Sequence, residues 1–155
     1  MNLKDLFLEK FIKSGGEFFE SLEDFFEKFN NVKKISVERG LKRKLKTYIE
    51  NYSLNEVAVH EAEVSFTTAD AAIAETGSII FAFKDTKKHL LTALPKIHVV
   101  FLKENKIYRS LEEALEDFLD APYISIVTGP SKTGDIELIH VTGVHGPEHF
   151  VLIFR

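Results

Sequence analysis

Three stretches of the sequence combine glycine with small hydroxyl residues and carry few charges, as loops that hold a ligand do. They cover residues 67–78, 128–137 and 143–147. Glycine lets backbone N–H groups approach an anion closely, and side-chain hydroxyls add further donors. The candidate ligand-binding residues in these stretches are Thr76, Gly77, Ser78, Thr128, Gly129, Pro130, Ser131, Lys132, Thr133, Gly143 and Gly146.

The stretch 128–137 has the chemistry of an anion site. Ser131 and Thr133 supply hydroxyl donors, and Lys132 supplies a positive charge between them. The order of residues is not that of a P-loop, because the lysine precedes the second glycine. The alternative is a tight turn that Asp135 caps.

Three residues of the same stretches are candidates for catalysis. Glu75 follows small apolar residues, and a carboxylate with few polar neighbours can act as a general acid, base or nucleophile. An equal alternative is a carboxylate that accepts hydrogen bonds from the turn after it. His145 lies between Gly143 and Gly146 on a loop, where it could act as a base or as a hydrogen-bond donor to an oxyanion. Asp135 would orient a partner group. We interpret Asp70, in the first stretch, as a helix N-cap.

The sequence predicts no metal ion and no other cofactor. His140, His145 and His149 are close together, but Pro147 breaks the helical spacing of the last two and no carboxylate pair completes a ligand set. Because there is no cysteine, this chain cannot form a disulfide or hold a cysteine-bound zinc ion or iron–sulfur cluster. Any redox chemistry would therefore need a partner.

The elements that position these loops alternate between strands and helices. Helical periodicity predicts helices over residues 3–13, 40–51, 87–94 and 111–119, and a further helix that begins at residue 22. The helices that begin at 22 and 111 are each preceded by a capping box. Apolar runs predict strands over 35–37, 57–60, 64–67, 78–83, 97–102, 123–127 and 150–154. We predict a single α/β domain over 1–155, with an N-terminal helical part (1–52) and a motif-bearing core (53–155). Its central sheet would be mainly parallel with helices on both faces, and the 128–137 loop would lie at the carboxyl ends of its strands.

Composition narrows the function classes. The chain has 155 residues, a net charge of −4 and 45% hydrophobic residues, which excludes a disordered chain and gives no support to nucleic-acid binding. The basic segment 33–46 is best explained as the solvated face of a helix. The phenylalanines of the helix that begins at residue 22 could form a partner-binding face. We prefer the alternative, in which this face packs on the protein's own sheet.

Two further features concern the environment of the protein. No apolar run is long enough to span a membrane, and Asp5 and Glu9 interrupt the region that a signal peptide would need, so we expect a cytoplasmic protein. The sequence has no glutamine, one methionine, 16 lysines and 17 glutamates, which is typical of proteins from hyperthermophiles.

Four strings, taken together and in order, resemble the LUD domain family of the lactate utilisation protein C type. They are TTADAAIAETGSI, the Pro95 and His98 pair in LPKIHVVFL before SLEEAL, TGPSKTGDIE, and GVHGPEHFVLI. The resemblance covers residues 57–155. It implies a fold like that of ribose-5-phosphate isomerase and the CoA transferases, and a role beside an iron–sulfur protein in oxidising L-lactate to pyruvate. Family members usually carry arginine at the position of Lys132 and more sequence ahead of the ADAAIAETGS stretch.

We therefore expect a component of L-lactate utilisation that binds a small anionic metabolite and acts with an iron–sulfur protein. Lys132 and backbone N–H groups would bind the anion, with Glu75 and His145 as candidates for proton transfer. One alternative is a free-standing isomerase or CoA-transferase-like enzyme that acts on a sugar phosphate or an acyl-CoA. Another is a noncatalytic interaction subunit. The sequence also leaves a homodimer as an alternative to a monomer.

Overall fold

The computed structural model describes residues 1–84, 86–130 and 146–155 of the chain. Within these residues, five α-helices follow in chain order: α1 (Leu3–Lys13), α2 (Leu22–Lys28), α3 (Lys42–Asn51), α4 (Thr86–Ala93) and α5 (Leu111–Leu115). The strands are β1 (Glu17–Phe18), β2 (Lys34–Val37), β3 (Asn55–Glu56), β4 (Val64–Thr68), β5 (Ala71–Ile73), β6 (Ser78–Phe83), β7 (Ile97–Leu102), β8 (Ile107–Tyr108), β9 (Tyr123–Val127) and β10 (His149–Phe154).

In the part of the chain that the structure describes, the central sheet has six strands in the order β1, β10, β7, β4, β2, β3. Every neighbouring pair in it is parallel, with Val64 of β4 opposite Ile97 of β7 and His149 of β10 also opposite Ile97. β7 and β10 are nearly continuous apolar runs, as strands covered on both faces are. The predicted α/β class with a parallel central sheet is confirmed.

The two faces of the central sheet carry different layers. Phe66, Val99 and Ile153 point into a core that α2 and α3 cover. Val100 and Leu152, one position along from these, point to the opposite face because side chains alternate along a strand. There they meet α1 and the inner side of a second sheet. Helices therefore lie on both faces, but on one of them they share the space with strands.

The second sheet has the order β8, β5, β6, β9. β9 pairs antiparallel with β6, and Ile79 lies opposite Val127. The predicted strand 123–127 therefore exists but is not part of the parallel sheet. Its sequence could not show this, because an apolar run does not reveal which strand it pairs with. Helix α5 packs on the outer side of this sheet through Ala114.

Local signals in the sequence predict the helix starts well. The hydroxyls of Ser21 and Ser110 accept hydrogen bonds from backbone N–H groups three residues on, at the starts of α2 and α5. The predicted strand over 57–60 is wrong, since a two-residue strand at 55–56 is followed by a 3-10 helix (Val59–Glu61). Strand β5 was not predicted, because a short alanine-rich segment lacks the β-branched residues that mark strands.

The phenylalanines of α2 pack inside the protein. Phe25 and Phe26 are buried against the central sheet, so this face is not free to bind a partner. Leu41 and Leu45 are buried in the same core, which leaves the basic residues around them on the outer side, as predicted. Among the described residues, no helix has both the length and the apolar character needed to cross a membrane.

Candidate functional site

Three hydroxyl groups from two distant parts of the sequence form a continuous hydrogen-bonded chain, here called the hydroxyl chain. The Ser78 Oγ lies 2.7 Å from Thr76 Oγ1 and 2.6 Å from Thr128 Oγ1. Ser78 begins β6, and Thr128 directly follows β9, so the antiparallel pairing of these two strands brings the groups together. The structure thus places the 76–78 turn and residues 128–130 side by side.

Glycine is required at two positions beside the hydroxyl chain. Gly77 has a φ of +70°, and a Cβ there would lie 2.4 Å from the carbonyl carbon of Lys10 and the amide nitrogen of Phe11. Gly129 has a φ of +75°, and its Cβ would lie 2.2 Å from the carbonyl oxygen of Ser14. Both glycines thus let the loops pack directly on the last turns of α1.

This packing places the hydroxyl chain towards the amino ends of the central strands. Pro130 lies so close to Gly15 that a Cβ on Gly15 would come within 3.0 Å of the proline ring. Gly15 is two residues before β1, which runs parallel to β10 and pairs with its middle residues, Val151 and Leu152, so Gly15 lies level with the start of β10. Residues 128–130, the described start of the 128–137 loop, therefore do not lie at the carboxyl ends of the parallel strands as expected, because β9 belongs to the second sheet. Residues 131–137 lie outside the described residues.

The predicted site residues are only partly within the described ranges. Glu75 and Thr76 are exposed, so the apolar surroundings expected around Glu75 do not form, and its backbone N–H donates to the carbonyl of Arg109 at 3.2 Å. Gly146 is half-buried and precedes the amino end of β10. The remaining candidates lie outside the described residues: Ser131, Lys132, Thr133, Asp135, Gly143 and His145.

A second polar group, which sequence reasoning missed, lies at the carboxyl ends of β2 and β4; we call it the carboxyl-edge cluster. It consists of Glu38, Thr68, Asp70 and Lys88. Asp70 is not an N-cap as expected, since a strand follows it, and its Oδ2 accepts a hydrogen bond of 2.8 Å from the Ala82 N–H. The sequence did contain a signal for this cluster, because Glu38 and Asp70 each follow an apolar run that forms a strand.

Beneath this cluster lies a buried histidine. His98 on β7 is hydrogen-bonded through Nε2 to Thr67 Oγ1 at 2.6 Å and lies between the rings of Phe81 and Phe150. Burial, with the positive charge of Lys88 adding to it, lowers the pKa of His98 from 6.5 to about 3. It is therefore a neutral core residue at physiological pH and holds the two sheets together rather than serving as an exposed acid or base.

The two polar groups can do different chemistry. The hydroxyl chain holds no charge, and each of its oxygens can donate or accept, so it can orient a ligand oxygen that reaches Thr76. The carboxyl-edge cluster is charged and only partly open to solvent. Within the described residues, no three His, Asp or Glu side chains are arranged to hold a metal ion.

Comparison with known proteins gives a consistent family assignment. The family model described as the LUD domain matches residues 20–154. The lactate utilization protein C of Deinococcus radiodurans is 30% identical over 105 residues, which are 64% of this chain and 50% of that protein. The uncharacterized protein YkgG of Escherichia coli K12 is 33% identical over 95 residues, 56% of this chain and 41% of that protein. The chain thus spans about half, or less, of the length of these relatives.

A solved structure shares the fold. The crystal structure of a DUF162 family protein from Deinococcus radiodurans superposes with a TM-score of 0.58 and covers 98% of this chain and 95% of that one. The two sequences are 16% identical, so this likeness concerns the fold alone.

Proposed function

This chain belongs to the LUD domain family, and we propose that it contributes to lactate utilisation by binding a small anionic metabolite beside the hydroxyl chain. The names of its relatives from Deinococcus radiodurans and a Geobacillus species support the metabolic role. One observation carries the site: Ser78 and Thr128, from two separate glycine-containing motifs, are in hydrogen-bond contact. Because the two motifs meet, both can contact one ligand.

The chemistry at this place suits a carboxylate. Thr76 is the exposed end of the hydroxyl chain and can donate its proton to a ligand oxygen, while Ser78 and Thr128 accept or donate behind it. Lys132 follows Thr128 by four positions in the sequence and would supply the charge that balances the anion. Because the glycine packing against α1 fixes the two loops, the donors would be ordered before the ligand binds.

Proton transfer at this site would fall to Glu75, which is adjacent to Thr76 in the chain and exposed to solvent. An exposed carboxylate beside Thr76 can reach a ligand held there, and a carboxylate is a suitable group for proton transfer. His145 and Asp135 complete the proposal as a second proton-transfer group and its orienting partner. The roles of His145 and Asp135 are inferred from the sequence alone.

We also propose that the protein acts with an iron–sulfur protein. The family resemblance implies such a partner, and the chain has no cysteine with which to hold a cluster itself. Electrons taken from lactate would then leave through the partner, while this domain would bind the organic acid. Capture of an iron–sulfur protein by the tagged chain, with the cluster identified by its visible absorption, would support the pairing.

Calorimetric titration with lactate and pyruvate tests the ligand proposal. Wild-type protein should bind at least one of them, and Lys132→Ala should weaken that binding by about tenfold or more, because a hydrogen bond to a charged group is lost. Lys46→Ala, which removes an exposed lysine of α3, is the matched control and should bind as wild type does. Absence of binding to both acids would refute the proposed ligand class.

The same protein samples decide between the alternatives. Turnover of a sugar phosphate or an acyl-CoA without any partner, abolished in Glu75→Gln, would favour a free-standing enzyme. Partner capture together with no ligand binding would favour a noncatalytic subunit. Size-exclusion chromatography with light scattering would show whether the chain forms a homodimer.

A further inference from the structure

The order of strands makes the chain connections diverge at the carboxyl ends of β2 and β4, and we call the space between these connections the crevice. From β2 the chain continues through α3 to β3, on one face and away from β4. From β4 it continues through β5, β6 and α4 to β7, on the other face and away from β2. Since β2 and β4 are neighbours, their connections part in opposite directions. In open α/β sheets, ligands bind where this occurs.

Charged side chains from three elements line this crevice. Glu38 is the first residue after β2, and its Oε2 accepts a hydrogen bond of 2.8 Å from the hydroxyl of Thr68, the last residue of β4. Lys88 of α4 lies across the opening, with its Nζ 3.0 Å from Glu38 Oε1 and 3.8 Å from Asp70 Oδ2. The carboxyl-edge cluster therefore spans the point at which the two connections part.

Hydrogen-bonding capacity remains in this cluster. The Oδ2 of Asp70 is used by Ala82 and Lys88, but within the part of the chain that the structure describes Oδ1 has no hydrogen-bond partner. Each carboxylate oxygen can accept two hydrogen bonds, and an ammonium group can donate three. The side chains of Glu38, Asp70 and Lys88 keep between 19% and 34% of their exposure, so a ligand can reach them.

The charges limit the class of ligand. Two carboxylates and one ammonium give the cluster's own side chains a net charge of −1, which disfavours an anion in contact with them. A cation would compete with Lys88, which already lies between the two carboxylates. The remaining class is an uncharged group that donates to carboxylate oxygens and accepts from an ammonium, which is what a hydroxyl does.

We propose that this crevice binds a ligand with vicinal hydroxyl groups, either a free sugar or the ribose of a nucleoside. One hydroxyl donates to Asp70 Oδ1 and the next donates to Glu38 Oε2. One of the two hydroxyl oxygens accepts the Lys88 N–H that remains beside those donated to Glu38 and Thr68. Two carboxylates fixed by Thr68 and Ala82 are ordered in advance, which lowers the cost of binding. The site is separate from the hydroxyl chain, and its existence does not depend on the proposed role in lactate utilisation.

Calorimetric titration with ribose, adenosine and 2′,3′-dideoxyadenosine tests the site. Binding of ribose and adenosine alike would identify the sugar as the recognised group, whereas binding of adenosine alone would identify a nucleoside site. In either case we expect dideoxyadenosine to bind about tenfold or more weakly than adenosine, because it lacks both hydroxyls. Equal binding of the two nucleosides, or no binding of ribose and adenosine, would overturn the proposal.

Two variants connect the binding to the cluster. Asp70→Asn keeps an oxygen that can accept from the Ala82 N–H but loses the charge, and it should weaken sugar or nucleoside binding by about tenfold. Glu61→Gln removes an exposed carboxylate before the amino end of β4 and should bind as wild type does. Circular dichroism melting would verify that both variants fold. Wild-type affinity in a folded Asp70→Asn protein would contradict the proposed site, whatever the result with lactate.

Discussion

The hydroxyl oxygens of Ser78 and Thr128 lie 2.6 Å apart, although 50 positions separate the two residues in the chain. Ser78 is almost fully buried, and its oxygen also contacts Thr76. Two motifs that look independent in the sequence are therefore parts of one structural unit, which holds the end of β9 to the start of β6.

This contact should appear as an energetic coupling. Ser78→Ala and Thr128→Val should each lower the free energy of unfolding by about 1 kcal/mol, and the double variant should lose less than the sum of the two. Urea unfolding of the four proteins measures the coupling, for which we expect about 1 kcal/mol. Strictly additive losses would mean that the two hydroxyls do not interact in solution.

Gly77 should not tolerate a side chain. Gly77→Ala would place a Cβ 2.4 Å from the α1 backbone at a φ of +70°, and neither atom can move without shifting the helix. We expect a loss of about 2 kcal/mol or more in the free energy of unfolding. Gly40→Ala is the control, because a Cβ there meets nothing within 4 Å, and it should change stability by less than about 0.5 kcal/mol. A Gly77→Ala protein as stable as the control would contradict the packing on α1.

His98 should make the protein less stable at mildly acidic pH. Its pKa is lowered to about 3 in the folded protein by burial and by Lys88, against 6.5 as the ordinary value. Below pH 6.5 the unfolded chain therefore binds a proton that the folded protein does not. The stabilising effect is complete above about pH 6.5 and is lost as the pH falls towards 3, at about 1.4 kcal/mol per pH unit.

Urea unfolding between pH 6.5 and 5 measures this slope. Wild type should lose roughly 2 kcal/mol over that interval, and His98→Leu should lose much less because the titrating group is gone. His60→Gln removes an exposed histidine and should keep the wild-type slope. Identical slopes in wild type and His98→Leu would show that His98 is not the group responsible.

Glu17 links β1 to the start of β10 and to α2. Its carboxylate accepts hydrogen bonds from Lys28 Nζ at 2.8 Å and His149 Nδ1 at 2.7 Å. Burial works to raise the pKa of Glu17, but these two hydrogen bonds outweigh it and hold the pKa below 4.5. The folded state therefore favours the charged form, and the stability gained is present above pH 4.5 and lost as the pH falls below that value.

Glu17→Gln should therefore lower the free energy of unfolding by about 1 kcal/mol at pH 7 and by much less at pH 3. Because Glu17 is partly exposed, high salt should also reduce the effect. Chemical unfolding at the two pH values, with and without salt, tests this. A difference from wild type that is as large at pH 3 as at pH 7 would rule out the charged carboxylate as its source.

The lysine- and glutamate-rich composition predicts a thermally stable protein. We expect a melting midpoint above the range of about 45–65 °C that is usual for mesophilic domains. Scanning calorimetry of the purified chain is sufficient as a test. A midpoint inside that range would remove the basis for the thermophilic interpretation.

Local signals were enough for much of the fold. The capping hydroxyls of Ser21 and Ser110 mark helix starts because a cap acts within one turn of chain, and the strand over residues 97–102 follows from an apolar, β-branched run. The sequence also identified Ser78 and Thr128 as candidate ligand-binding residues, each from its own glycine-containing stretch. Such features depend on near neighbours, so they can be read along the chain.

Strand pairing and burial needed the tertiary structure. Sequence alone could not show that β9 pairs with β6 in a second sheet, nor that His98 is enclosed between two phenylalanine rings. It also could not bring Glu38, Asp70 and Lys88 together, because they come from three elements that meet only when the order of the central strands is known. The residue types and helix starts were thus determined by the sequence itself, whereas the pairing of distant strands and the environment of each charge were decided by the packed fold, since both depend on contacts between residues far apart in the chain.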